Sequence, residues 1–262
     1  MPAEAKHVNN MVTVTTLFWQ DPVRMRRRNY DFKLEQILIW RNMIARNLTL
    51  PHEFVCIIGT MDQAGMVDLD ALAAELRREG IRPVPLDKSK HVPGTVFVRL
   101  MLRRPDIGGI LGPRIFMTDL DVVIVANIDS IVDRPEDSVW WRNPNYEPGG
   151  RRAYIQSSVQ LFDAGARSFL YTEFDPQITP TWVNRRFGAA EQAWFAERLK
   201  WQDEAFWTED DGIYGAMRLG DSADGAGKEL PPNAKIISCP GQRAPWQEEM
   251  QKSHPWIAEH YR

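Results

Sequence analysis

The 262-residue chain is poor in cysteine, in long apolar runs and in any excess of one charge. Its two cysteines, Cys56 and Cys239, both lie in apolar stretches. Two thiols build no disulfide framework, and reduced, buried thiols fit a cytoplasmic protein. Lys and Arg total 32 against 35 for Asp and Glu, a net charge of -3, so no broad basic surface is available to grip nucleic acid. No stretch approaches the roughly 20 consecutive apolar residues of a membrane span. The opening MPAEAKHVNN has no signal-peptide apolar region, which again points to the cytoplasm. Internal repeats and low-complexity segments are absent too.

What is present reads as alternating strands and helices. Met11 to Trp19 is rich in β-branched residues and reads as a buried first strand, ended by Asp21-Pro22. Tyr30 to Leu48 has apolar residues at helical spacing and stops at Leu50-Pro51. Phe54 to Ile58 is a second strand. Asp68 to Arg78 is a short helix with Gly80 as its C-cap, and the Pro-interrupted Ile81 to Leu86 is an edge strand. Pro93 to Arg104 reads as a helix with Val96, Phe97, Leu100 and Met101 facing inward. This order predicts an α/β fold with a mostly parallel central sheet flanked by helices, and ligands at the strand C-termini. The second half is less regular, with strands expected at Ser138 to Trp141, Tyr154 to Phe162 and Lys235 to Ser238, helices at Ala166 to Phe174 and Ala189 to Lys200, and a long loop from Met217 to Asn233. Most of the ten tryptophans fall there, as core packing or as a sugar-binding surface.

The stretch that carries chemistry is Ile115 to Val132, IFMTDLDVVIVANIDSIV. A buried strand favours Val and Ile over acid, so Asp119 and Asp121, set between apolar runs, need a reason. In extended chain, residues i and i+2 share a face, so both carboxylates can address one point at a strand end. Hard cations such as Mn²⁺ or Mg²⁺ take carboxylates together with substrate phosphates. The plainer reading of an isolated D-x-D is a turn cap or a solvated strand edge. A nucleotidyltransferase also pairs carboxylates around a metal, but it would show a Gly-rich basic loop after the first strand, where Gln20-Asp21-Pro22 stands instead. Arg24, Arg26, Arg27 and Arg28 crowd one short segment. That segment reads as a solvated basic loop, or as a contact for a diphosphate, an anionic acceptor or a lipid surface.

Five segments in order resemble bacterial GT-A glycosyltransferases, which use nucleotide sugars. They are WRNMIARNLTLPHEFVCIIG (Trp40 to Gly59), PRIFMTDLDVVIVANIDSI (Pro113 to Ile131), QSSVQLFDAG (Gln156 to Gly165), WQDEAFWTE (Trp201 to Glu209, similar to a D-Q-D-x-x-N segment) and IISCPGQRAPW (Ile236 to Trp246, similar to H-x-H-G-x-x-K-P-W). The resemblance implies one GT-A domain over 1–262, with a nucleotide-binding half at about 11–125 and an acceptor half at about 126–262. It implies a nucleotide-sugar donor, a UDP-sugar foremost, a divalent metal held by Asp119 and Asp121, and an acceptor that is a carbohydrate, a lipid or another molecule. Thr16, Asp62, Arg99 and Leu120 would join the two aspartates in holding the donor. Ser157, Ser158, Gln202 and Trp207 would touch substrate, and Asp203 or Glu204 would supply a second carboxylate near the sugar, orienting acceptor hydroxyls or acting as general base.

The chain departs from the pattern in three places. Pro240 stands where the relatives carry a metal-binding His, leaving water, phosphate or His254 to fill the shell. Gly59-Thr60-Met61-Asp62 lacks the usual Asp after the second strand, and Trp201 replaces the first Asp of D-Q-D. These departures motivate a second reading, a glycosyltransferase-like protein that binds a sugar nucleotide or glycan without turning it over.

Overall fold

The computed structural model describes residues 11–20, 33–60, 67–92, 95–146, 153–180, 191–216, 219, 229–239 and 244–262. The Arg24–Arg28 segment, Asp62 and Pro240 lie outside these residues.

The chain opens on β1 (Val12–Gln20), α1 (Leu34–Asn47), β2 (His52–Thr60), α2 (Leu69–Arg78) and β3 (Ile81–Pro85). β1 is buried along its whole length because strands pair with it on both sides and apolar clusters cover both faces. α1 buries Ile37, Trp40, Met43 and Ile44, one stripe at helical period. Asp68 caps α2 by accepting from Asp70 N and Ala71 N at 3.0 and 3.1 Å, and Gly80 follows in the left-handed region at φ 73. β3, with Pro83 and Pro85, is an edge strand, where a missing N–H does no harm.

Next comes a segment where structure and sequence pattern part. Phe97–Arg103 is a 3-10 helix rather than an α-helix. Phe97 and Leu100 enter one apolar cluster while Val98 and Met101 enter another. Both pairs are three residues apart, and a 3-10 helix stacks such pairs one above the other. Burial in two directions decided the winding. Arg103 is also wholly buried, its guanidinium lying over the rings of Trp140 and Phe162 at 4.2 and 3.9 Å.

α3 (Gly108–Leu111) leads into β4 (Arg114–Thr118), β5 (Val122–Ile124), α4 (Asp129–Val132), β6 (Ser138–Arg142) and β7 (Ile155–Asp163). Then follow α5 (Phe169–Thr172), α6 (Glu191–Arg198), β8 (Ala205–Trp207), β9 (Ile213–Gly215), β10 (Ile236–Ser238), α7 (Glu248–Ser253) and α8 (Pro255–His260). One seven-stranded sheet runs β3-β2-β1-β4-β7-β6-β8, and a three-stranded sheet runs β5-β10-β9. Within the large sheet β3, β2, β1 and β4 are parallel, β7 is antiparallel to β4 and β6, and β8 is parallel to β6. The sheet is therefore mostly parallel, and the C-terminal ends of β1, β4, β6 and β8 share one edge. Cys56 and Cys239 are both fully buried, and burial pushes both thiols far above their ordinary pKa. No helix among the described residues is long and apolar enough to cross a membrane.

Candidate functional site

β4 is wholly buried, and Trp40 of α1 ties its last residue by donating from Nε1 to Thr118 Oγ1 at 2.7 Å. The chain then crosses from the large sheet to the small one, and Asp119-Leu120-Asp121 is the crossing. Asp119 N donates to Ser158 O at 2.9 Å, on the large-sheet side. Cys239 N donates to Asp121 O at 2.8 Å, on the small-sheet side, where β5 pairs antiparallel with β10. Leu120, 2% exposed, turns into the core between them. Its side chain is thus spent on packing, and only its backbone remains for a ligand.

A bulge prepares the neighbouring strand. β7 pairs with β6 through Gln160 and then Gln156, so the register skips Ser157 to Val159. Such skips re-aim side chains. The two serines diverge: Ser157 Oγ donates to Glu191 Oε1 at 2.7 Å, whereas Ser158 Oγ faces Ser238 Oγ at 3.4 Å. Arg99, from the 3-10 helix, completes the group. Its Nη2 donates to Asp119 Oδ2 at 2.8 Å, and its Nη1 donates to Glu191 Oε1 at 2.7 Å and to Ser157 Oγ at 3.2 Å. Burial opposes the guanidinium charge, but Asp119 and Glu191, with Asp121 behind them, raise its pKa above the ordinary value.

Glu191 was not singled out from the sequence, though a signal was there. α6 buries Glu191, Ala193, Trp194 and Phe195, which puts a glutamate on an apolar helix face. A wholly buried acid demands a partner, and Arg99 is that partner. Arg99→Lys is expected to lower stability by about 1–3 kcal/mol, since one ammonium cannot reproduce a fork shared by Asp119, Ser157 and Glu191. Thermal melting checks this; a melting point equal to wild type would mean the network carries no weight.

Other expected site residues lie elsewhere. β8 places Ala205 level with Val139, Val139 pairs with Leu161, and Leu161 pairs with Phe116. Asp203 and Gln202 precede Ala205, so they run toward the start of β4, while Asp119 follows its end. Both are exposed on the edge away from the aspartates. Glu204 is there too, its side chain only 4% exposed, accepting from Arg167 Nε at 2.8 Å and from Trp140 Nε1 at 2.9 Å. It holds a buried ion pair, not an acceptor hydroxyl. Trp207 is 0% exposed and edge-on to Phe116, so it has no ring face for a sugar. Thr16 is buried within β1, which runs on past it to Gln20. His254 lies against Ser253 and Trp256, and no group of three or more His, Cys, Asp or Glu among the described residues is placed to hold a metal.

On the aspartates' edge, a cleft of about 320 Å³ opens at the ends of β6 and β8, lined by residues including Arg142, Tyr146, Thr208, Glu209 and Asp210.

No protein-family model matches the sequence, and no curated protein matches it. Solved structures do match the architecture. The chain is similar to the galactosyltransferase LgtC solved with donor and acceptor sugar analogs, at 11% identity over 95% of this chain and 96% of that one, with a TM-score of 0.57. It is similar to the glycosyltransferase GlyE of Streptococcus pneumoniae, at 12% identity over 97% of this chain and 62% of that one, TM-score 0.57. Mouse xyloside xylosyltransferase 1 matches at 15% identity over 87% of this chain and 97% of that one, TM-score 0.50. This chain has a GT-A fold. In the GT-A fold of this protein, the D-x-D crossing joins the two sheets at the end of β4, on the edge where the C-termini of the parallel strands lie.

Proposed function

We propose that this protein is a metal-dependent glycosyltransferase that moves a sugar from a nucleotide-sugar donor, a UDP-sugar, to a carbohydrate acceptor. The observation that carries the reading is the meeting of carboxylates at the crossing. Asp119, Asp121 and Glu191 all bear on the guanidinium of Arg99. Asp119 and Asp121, two residues apart at a strand end, offer the oxygen donors that suit a hard divalent cation bringing further oxygens of its own. Mn²⁺ or Mg²⁺ is commonly bound by one or two carboxylates, with phosphates and water filling the shell. Asp119 and Asp121 would hold it, and when bound it would act as a Lewis acid on the leaving diphosphate.

The side chains around it act in separable ways. Glu191, wholly buried, neutralises Arg99 and fixes the plane of its fork. Ser157 closes the triangle between them. Arg99 thereby keeps a positive charge beside Asp119 without a change of rotamer, and preorganised charge of this kind offsets the negative charge that grows as a sugar–phosphate bond breaks. The acceptor would approach along the same edge, where the cleft beside Tyr146 and Thr208 offers an aromatic ring, hydroxyls and carboxylates to a polyhydroxylated partner.

Calorimetric titration with UDP and with GDP, each with and without Mn²⁺, tests the reading. UDP binding that requires Mn²⁺ is the expected result. Absence of binding by either nucleotide under every condition would sink it.

A further inference from the structure

Behind the site, on the core side of β7, lies a polar pair that packing alone does not explain. Gln160 is the β7 residue where pairing with β6 resumes after the register skip, opposite Trp140. Residues two apart on a strand share a face with the residue opposite on the next strand, so Gln160, Phe162 and Trp140 lie together. Arg103 lies on that face, over the two rings. Gln160 and Arg103 are both buried, yet Arg103 Nε and Nη1 have no hydrogen-bond partner among the described residues. An apolar side chain of similar volume would often fill such a place at equal or lower cost.

What the pair does is hold the skip. Arg103 Nη2 donates to Gln160 Oε1 at 2.6 Å, and Gln160 Nε2 donates back along its own strand to Ser157 O at 2.8 Å. A side-chain amide has one accepting end and one donating end, whereas a guanidinium only donates. Arg103 therefore draws Oε1 toward itself and leaves Nε2 for Ser157. The bond spans Ser157, Ser158 and Val159, the residues that β6 skips. Two of them are the ones the site uses. Ser157 Oγ meets Arg99 and Glu191, and Ser158 O accepts from Asp119 N.

We infer that Gln160, its amide oriented by Arg103, is a positioning residue for the D-x-D site: it fixes the β7 skip, and through the skip the backbone of Asp119 and the fork of Arg99. This rests on the glycosyltransferase reading and adds a residue that touches neither metal nor donor. One branch runs from Gln160 through Ser157 to Arg99, the other through Ser158 to Asp119. Groups that orient a metal ligand from behind typically lower metal affinity by about 10- to 100-fold when lost. Gln160 acts through intervening residues, so its effect belongs at the lower end.

Gln160→Glu and Gln160→Met together make the test. The first keeps an acceptor for Arg103 but turns an oxygen, in place of an N–H, toward Ser157 O. The second loses both bonds. Mn²⁺ is titrated into wild type and both variants with UDP present, with free Mn²⁺ followed by electron paramagnetic resonance, and the melting point of each metal-free protein is measured beside it. The expected result is a loss of about tenfold in Mn²⁺ affinity in both variants, with a melting point near that of wild type for Gln160→Glu and a lower one for Gln160→Met. Affinity then follows the lost donor to Ser157 rather than stability, a pattern that a purely structural residue does not produce. Wild-type Mn²⁺ affinity in Gln160→Glu overturns the inference alone. A Gln160→Glu melting point as low as that of Gln160→Met overturns it as well, since Gln160 would then serve the core and not the site. If wild type itself binds neither Mn²⁺ nor UDP, the glycosyltransferase reading fails and this inference falls with it.

Discussion

Asp121→Ala is expected to reduce Mn²⁺-dependent UDP affinity by at least about a hundredfold, down to whatever binding survives without metal. The reason is the small number of donors. Among the described residues no group of three or more His, Cys, Asp or Glu is placed to hold an ion, so in the proposed site Asp119 and Asp121 are the described donors and Asp121→Ala removes one of these two. A metal that bridges carboxylate and diphosphate contributes several kcal/mol, and each 1.4 kcal/mol is about a factor of ten. Stability should hardly fall. Arg99 keeps Asp119 and Glu191 at 2.8 and 2.7 Å, so no buried cation is stranded. Calorimetry with UDP and Mn²⁺, beside a melting curve, separates the two effects. Unchanged metal-dependent binding in a folded variant would remove Asp121 from the site. Added Mn²⁺ and UDP should also raise the melting point of wild type and leave that of the variant in place, because a ligand stabilises only the state that binds it.

Glu204→Ala should do the reverse. It is expected to cost about 3–5 kcal/mol of stability while leaving UDP and Mn²⁺ binding intact. The Glu204 side chain is 4% exposed and serves two donors, Arg167 Nε and Trp140 Nε1. Its charge also reaches Arg103, which is wholly buried and whose pKa burial pulls below the ordinary value. Truncation takes from wholly buried Arg103 the carboxylate that supports its charge, leaves Trp140 Nε1 without its acceptor, and leaves Arg167 with Asp137 alone at 3.0 Å. At about 2–4 °C per kcal/mol for a chain near this size, the melting point should fall by roughly 10 °C. A Glu204 that served as general base would give the opposite pattern, lost turnover at an unchanged melting point.

Those two predictions draw on different kinds of reading. Asp119 and Asp121 stand out in the sequence because two acids between apolar runs contradict the local preference for Val and Ile, and a contradiction of that kind is visible in one dimension. The strands before them were visible too, since β1, β2 and β4 are nearly continuous apolar runs. Asp203, Glu204 and Trp207 form a segment of the same character, acids beside an aromatic next to a short strand. Their sequence differs little from that of a site. What separates them is the edge on which they lie, and that follows from β8 running parallel to β6 with Ala205 level with Phe116. Trp201, which takes the place of an acid in the D-Q-D pattern, is 56% exposed at the far edge, and the acid that meets Arg99 is Glu191.

The sequence by itself determined that the fold is α/β with a mostly parallel sheet, and it marked Asp119-Leu120-Asp121 as the place where acid interrupts apolar chain, because burial periodicity and misplaced charge are local properties. The tertiary structure alone decided which other side chains reach that point. Arg99 arrives from a 3-10 helix wound by two cores, Ser157 from a register skip in β7 and Glu191 from a helix face. Each depends on contacts between residues far apart in the chain, whose geometry is set by packing and strand register.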